Sequence, residues 1–204
     1  MEMASEYRRG FKKAAEELAL AIRREMGLNW DDPLDPRRLA AHVGVPVFDL
    51  NELASVGMPQ ESLRHLLGEG SGEFSAALFE RNGMRLIIAN PVHSTGRQAS
   101  NIVHEVAHLL LRHEPPTEIL QAGCRRWNAE MEREADWLAG ELLVPRRAAL
   151  SIARRRLDMR QSALRFGVSE AMMRWRLNHS GARKQAERER AGRRSRGWGA
   201  ETST

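Results

Sequence analysis

The sequence predicts an α+β fold that is mostly helical, with a small β-sheet and a helix-turn-helix-like unit towards the C-terminal end. Three observations carry this expectation. Apolar residues recur at helical spacing through most of the 204 residues. One short block, AALFERNGMRLIIAN, instead shows two apolar strands around Asn82-Gly83, the strongest short hairpin signal a sequence offers. A third stretch, SALRFGVSEAMMRWRLNHSG, has small, glycine and apolar residues where two helices joined by a tight turn need them.

Taken in order, residues 5–26 are expected as a helix, with Phe11, Ala14, Ala15, Leu18 and Ile22 on one face and Gly27 as its stop. DDPLDP is a linker. A short helix begins at Asp35-Pro36 and closes at Gly44, before the strand VPVFDL. ESLRHLL, residues 61–67, forms another short helix ahead of a flexible GEGSGE, and the hairpin follows. After Pro91 the period turns helical again. Thr95 and Gln98 have capping-box spacing, and Pro115-Pro116 lies beyond the helix end. A second long helix covers 126–143, with Trp127, Met131, Ala135, Leu138 and Leu142 in one stripe and Pro145 as its stop. Three segments result: a main domain over 1–145, a helical helix-turn-helix-like unit over 146–180, and a polar tail over 181–204 that is expected to be disordered.

Composition narrows the function classes. A hydrophobic fraction of 42% is enough for a packed core. No apolar run reaches the length of a bilayer span, so no membrane partner is expected. MEMASEYRRGFKKAAEEL is charged throughout, unlike a secretory leader, and the one cysteine, Cys124, cannot pair within the chain. Both favour a reducing cytoplasm. Cys124 reads as a small buried hydrophobe in preference to a metal ligand. The net charge of +5 is unevenly spread, since residues 146–204 hold 16 Lys and Arg against 5 Asp and Glu. An acidic body with a basic end makes nucleic acid a candidate partner for that end.

The chemistry concentrates in NIVHEVAHLLLRHEP, residues 101–115. Residues four apart on a helix sit one turn above each other, so His104 and His108 can aim both imidazoles at one point. Glu105 lies about 100° around, able to reach a water there but not to ligate comfortably. This is the spacing of two Zn2+ ligands and a general base. The competing reading is a helix with surface histidines. Against it, Ile102, Val103, Val106, Ala107, Leu109, Leu110 and Leu111 mark the helix as largely buried, and a buried histidine pair needs a partner.

EREADWLAGELLVP, residues 132–145, can supply one. A catalytic Zn2+ takes three protein ligands and keeps a fourth position open. Glu132 can complete the set, and Asp136 can accept a hydrogen bond from the outer ring nitrogen of a ligating histidine. Glu134, about 200° from Glu132, points away and reads as solvated, with a fallback role as ligand if the helix phase differs. His113, His93 and Arg97 are candidates for stabilising an oxyanion, and the sequence does not choose among them.

HEVAH followed by an E-x-E-A-D-x-x-A-x-x-L-L-x-P helix resembles the ImmA/IrrE family of zinc metallopeptidases. LAAHVGVPVFDL and the strand-rich block before HEVAH are similar to that family too, and the likeness spans residues 30–180. Asn101-Ile102-Val103, Leu138 and Val144 stand where the family often has an aromatic residue, Phe and Met, respectively. The resemblance implies a zincin-like metallopeptidase domain with Zn2+ as cofactor and Glu132 as third ligand. It also implies a cytoplasmic endopeptidase whose substrate is a helix-turn-helix repressor, in stress response or mobile-element control.

In the C-terminal unit, Ala163, Gly167 and Met173 supply the small, turn and buried residues, and Ser169 can cap the second helix. Arg174 and Arg176 would lie on or near a recognition helix, with Arg146, Arg147, Arg154, Arg155 and Arg156 gripping phosphate. The plain alternative is packing alone. Two other classes therefore compete with the peptidase: a DNA-binding regulator whose H-E-x-x-H domain senses metal, and a toxin–antitoxin or other partner with a dormant site. An unpaired strand of the 76–90 hairpin could hold an extended peptide by strand addition.

Overall fold

A computed structural model describes residues 7–113 and 129–198, so Cys124, Trp127 and the expected start of the second long helix lie outside the described residues. The first helix, α1, spans Phe11–Glu25, shorter than the sequence suggests. Gly10 precedes it at φ 81, in the left-handed region that glycine tolerates, and turns the chain there. Tyr7, upstream of that turn, packs instead of continuing the helix. Its ring stacks on Phe11 at 5.9 Å and meets Trp137 edge-on at 5.2 Å. The buried stripe of α1 is Phe11, Ala15, Ala19 and Ile22, while Ala14 falls on the exposed side.

Helix α2, Pro36–His42, begins as expected, with the Asp35 side chain accepting from the backbone N–H groups of Arg37 and Arg38. Strand β1, Val47–Asp49, follows, then α3, Gln60–Leu67, and the hairpin of β2, Ala76–Arg81, with β3, Met84–Ala89. Asn82 and Gly83 both have positive φ, which gives the tight turn its twist. GEGSGE holds a single 3-10 turn over Glu69–Gly72. The sheet order is β1-β3-β2, with β1 parallel to β3 and β2 antiparallel to it. Alternation along β3 buries both faces: Ile87 and Ala89 join the main core, and Ile88 joins a smaller cluster with Leu50 and Leu63.

Helix α4, Thr95–Leu110, carries HEVAH and lies against β2. Its cap differs from the expected box. Ser94 is the N-cap, and the Gln98 side-chain amide donates to the carbonyls of Pro91 and His93. Helix α5, Ala129–Leu143, packs along α4 and buries Leu138, Leu142 and Leu143 completely. Each such side chain contributes about 1.5–3 kcal/mol by leaving water. The Arg23 guanidinium of α1 is buried and donates to the Leu142 carbonyl at 2.7 Å, and also to the carbonyls of Asn29 and Asp32, pinning α1 to the end of α5.

Helices α6, Arg146–Arg155, α7, Met159–Phe166, α8, Glu170–His179, and α9, Ala182–Trp198, complete the chain. The hydrophobic core runs without a break from Tyr7 to Ala182, across Pro145. Gly167 takes the left-handed turn between α7 and α8, and Ser169 caps α8 through the Met172 N–H. Two glycines let α8 seat on the body. A Cβ on Gly96 of α4 would lie 2.5 Å from the Ser169 backbone nitrogen, and one on Gly140 of α5 would lie 2.8 Å from the Trp175 ring. Arg176, which the sequence puts on or near a recognition helix, is fully buried in an ion pair with Glu141. Its Nε donates to the Val144 carbonyl, and Glu141 accepts from the Arg146 N–H. Burial pushes the Glu141 carboxyl above the ordinary range, and Arg176 opposes that shift.

Where the sequence reading expects a disordered tail, the described part of it is helical. Helix α9 covers Ala182–Trp198 and docks on α6; residues 199–204 lie outside the described residues. Its buried stripe is Ala182 and Ala186, too small to register as an apolar period but small enough for close approach. Polar contacts complete the dock: Arg154 forks onto Glu189 at 2.8 and 2.6 Å, Arg146 donates to Gln185, and Arg190 donates to the Ala153 carbonyl.

Candidate metal centre

Three side chains converge where α4 meets α5. The Nε2 atoms of His104 and His108 lie 2.9 Å apart, and Glu132 Oε2 is 3.1 Å from the first and 3.6 Å from the second. One ligand atom from each residue falls within 4.8 Å of the other two. The helix spacing puts the two imidazoles on one face, and the crossing of α5 brings the carboxylate to them. Two imidazole nitrogens and one carboxylate oxygen directed at one point suit a tetrahedral Zn2+ with its fourth position free.

Asp136 Oδ1 lies 2.9 Å from His104 Nδ1. Burial pulls the His104 pKa down, but hydrogen bonds to Asp136 and Glu132, with the charges of Asp136 and Glu105, outweigh it and push it up to about 9. Glu105 is buried on the neighbouring flank of α4, close enough for its charge to act on His104. One of its oxygens accepts the Leu78 N–H of the edge strand β2 at 3.0 Å.

Glu134 corrects the sequence reading. It does turn away from the ligand trio, but into the protein and not into solvent. Its two oxygens take the Arg8 guanidinium at 2.6 and 2.5 Å. His113 Nε2 lies 3.5 Å from Glu134, and His113 Nδ1 lies 2.9 Å from His108 Nδ1. Burial holds the His113 pKa below the usual histidine value, with Glu134 acting the other way. His113 is thus packed behind His108, a candidate ligand. Of the other oxyanion candidates, His93 contacts the Phe74 carbonyl at 3.2 Å, and Arg97 donates to the Ser75 hydroxyl at 2.8 Å. The part of Arg8 and Glu134 had no signal in the sequence, because 126 residues separate them.

A mostly helical α+β domain with a small mixed sheet, carrying an H-E-x-x-H helix crossed by a helix that brings a carboxylate to the two histidines, defines the zincin-like class. The sequence profile of the IrrE N-terminal-like domain, a metallopeptidase family, matches residues 71–178, just over half of the chain. The protein belongs to that family. No curated protein matches the chain. Among the described residues, no helix is long and apolar enough to cross a membrane.

Proposed function

We propose that the protein is a Zn2+-dependent endopeptidase that cuts a helix-turn-helix transcriptional repressor at a specific bond, acting in the cytoplasm. The observation that carries the metal reading is the convergence of His104 Nε2, His108 Nε2 and Glu132 beside a buried Glu105. Two nitrogens and a carboxylate, with a position left open, fit Zn2+ better than Mg2+ or Ca2+, which prefer oxygen. When bound, Zn2+ supplies Lewis-acid polarisation of a carbonyl and acidifies a water. Glu105 is the proton carrier: its carboxylate takes a proton from the attacking water and returns it to the leaving amine. Asp136 holds the His104 ring by its outer nitrogen. The repressor substrate rests on the resemblance described above. It is tested by incubating the full chain with helix-turn-helix regulators encoded beside its gene and weighing the products.

Glu105→Gln is the sharpest variant. The amide is nearly isosteric and Glu105 is not in the ligand trio, so Zn2+ should stay bound while cleavage falls by about 10²- to 10⁴-fold. Equal cleavage by the loaded variant would remove Glu105 from the role of base. Failure of the wild type to cut any neighbouring regulator would favour a metal-sensing regulator.

DNA contact is a second reading, favoured by the exposed Arg174 of α8 and the basic α9. It does not use α8 as an ordinary recognition helix, whose N-terminal residues meet base edges. Here that end sits on Gly96. Such binding would be phosphate-directed and fall steeply with salt in a gel-shift titration.

A further inference from the structure

We propose that His113, Glu134 and Arg8 form a line, buried at its first two members, that orients the His108 ring, so that the segment leading into α1 is a positioning part of the metal site. The inference rests on the metal reading above. His104 and His108 both turn Nε2 towards Glu132, which leaves Nδ1 as the outer nitrogen of each. A ligating imidazole is neutral with its lone pair on the metal side, so its proton sits on the outer nitrogen. For His104 that proton goes to Asp136. For His108 it meets another imidazole, His113 Nδ1, at 2.9 Å.

The proton inventory then runs outward. Donation by His108 makes His113 an acceptor at Nδ1, which puts the His113 proton on Nε2. That nitrogen is buried without a formed hydrogen bond, and Glu134 Oε2 lies 3.5 Å away, a few tenths of an ångström beyond bonding distance. Glu134, itself almost wholly buried, is held by the two-toothed contact of Arg8. A carboxylate and an imidazole are costly to bury, and apolar side chains would fill the same space more cheaply. Their alignment on the outer nitrogen of a candidate ligand supplies the reason for them. Arg8 is anchored in turn, because neighbouring Tyr7 is clamped between Phe11 and Trp137.

The test uses the full chain, Zn2+ alone as probe, and competition with a chromophoric chelator, with thermal midpoints of the metal-free proteins measured in parallel. His113→Phe and Glu134→Ala should each weaken Zn2+ binding by roughly 10- to 100-fold. Because the groups act in series, the double variant should lose no more than His113→Phe alone. His113→Gln offers a carbonyl to His108 and an amide N–H to Glu134, and should recover most of the affinity. Glu134→Gln, nearly isosteric, and Arg8→Ala, at a largely exposed side chain, cover the case in which the harsher variants fail to fold. Both should bind Zn2+ more weakly, Glu134→Gln with little change in metal-free midpoint and Arg8→Ala with some loss of it, since it leaves the buried Glu134 carboxylate without its cation. Unchanged affinity in these two, or additive losses in the double variant, would overturn the line while leaving the metal centre standing. Absence of Zn2+ uptake by the wild type would overturn both.

Discussion

The α4–α5 pair and the C-terminal trio α7–α9 pack on the same core yet treat charge in opposite ways. In the pair, Glu105, His108, Glu134 and Glu141 are turned inward. In the trio, charges stay on the rim: Arg165 reaches Asp31, and Glu189 takes Arg154. Arg176 is the exception, buried to meet Glu141. The contrast separates two kinds of buried charge. Arg176 and Glu141 neutralise each other and tie α8 to the α5–α6 joint. The two imidazoles and Glu132 converge on one point and form a group that could hold a metal ion.

The largest test of that distinction is to break the closed pair. Glu141→Ala strands a buried guanidinium and should cost about 3–5 kcal/mol in urea unfolding, whereas Glu141→Leu with Arg176→Met should be neutral or stabilising. A loss under 1 kcal/mol in the single variant would mean that the pair fastens nothing.

The open cluster should respond to metal instead. Zn2+ at a hundred times its Kd should stabilise the protein by about 2.7 kcal/mol, with hydrogen-exchange protection concentrated in α4 and α5 and not in α9. Replacing His104 or Glu132 with Ala should abolish that gain. The ligand histidines must be neutral to bind, so uptake should release protons and weaken as pH falls. With His104 pushed up to about 9 before metal enters, binding at neutral pH should displace a proton from it. Calorimetry in buffers of different ionisation enthalpy reads that release.

The joints between the two regions come next. Gly96→Ala drives a methyl into the Val168–Ser169 backbone and should cost about 1–3 kcal/mol, more than any gain in helix propensity. Gly140→Ala meets mainly the Trp175 ring, which can shift, and should cost less. A reversed order in denaturant midpoints would move the critical joint from α4 to α5. Smallest is Arg154→Ala on the rim, which should leave the midpoint where it is, since exposed ion pairs count for little.

What was legible in the sequence follows from distance along the chain. The positions of His104, His108 and Asp136 relative to their helix neighbours are consequences of the 3.6-residue repeat, and the Asn82-Gly83 hairpin is equally local. Glu134 shows the limit. Its direction on α5 was readable, but what it points at was not, because Arg8 comes from the other end of the chain. Helix α9 escaped for a different reason. Ala182 and Ala186 bury little area, so its dock shows in partners such as Arg154 and Glu189 and not in periodicity. The start of α1 escaped too, since helical spacing alone does not reveal that Tyr7 is claimed by Trp137.

The bond from the Leu78 N–H to Glu105 has one more implication. Among the described residues, Leu78 lies on an edge strand of the sheet, where an arriving peptide strand would look for main-chain donors. At that position the donor is already taken, and by the carboxylate proposed to handle protons. A strand settling along β2 would have to claim the N–H from Glu105, leaving that oxygen free at the moment a peptide is in place.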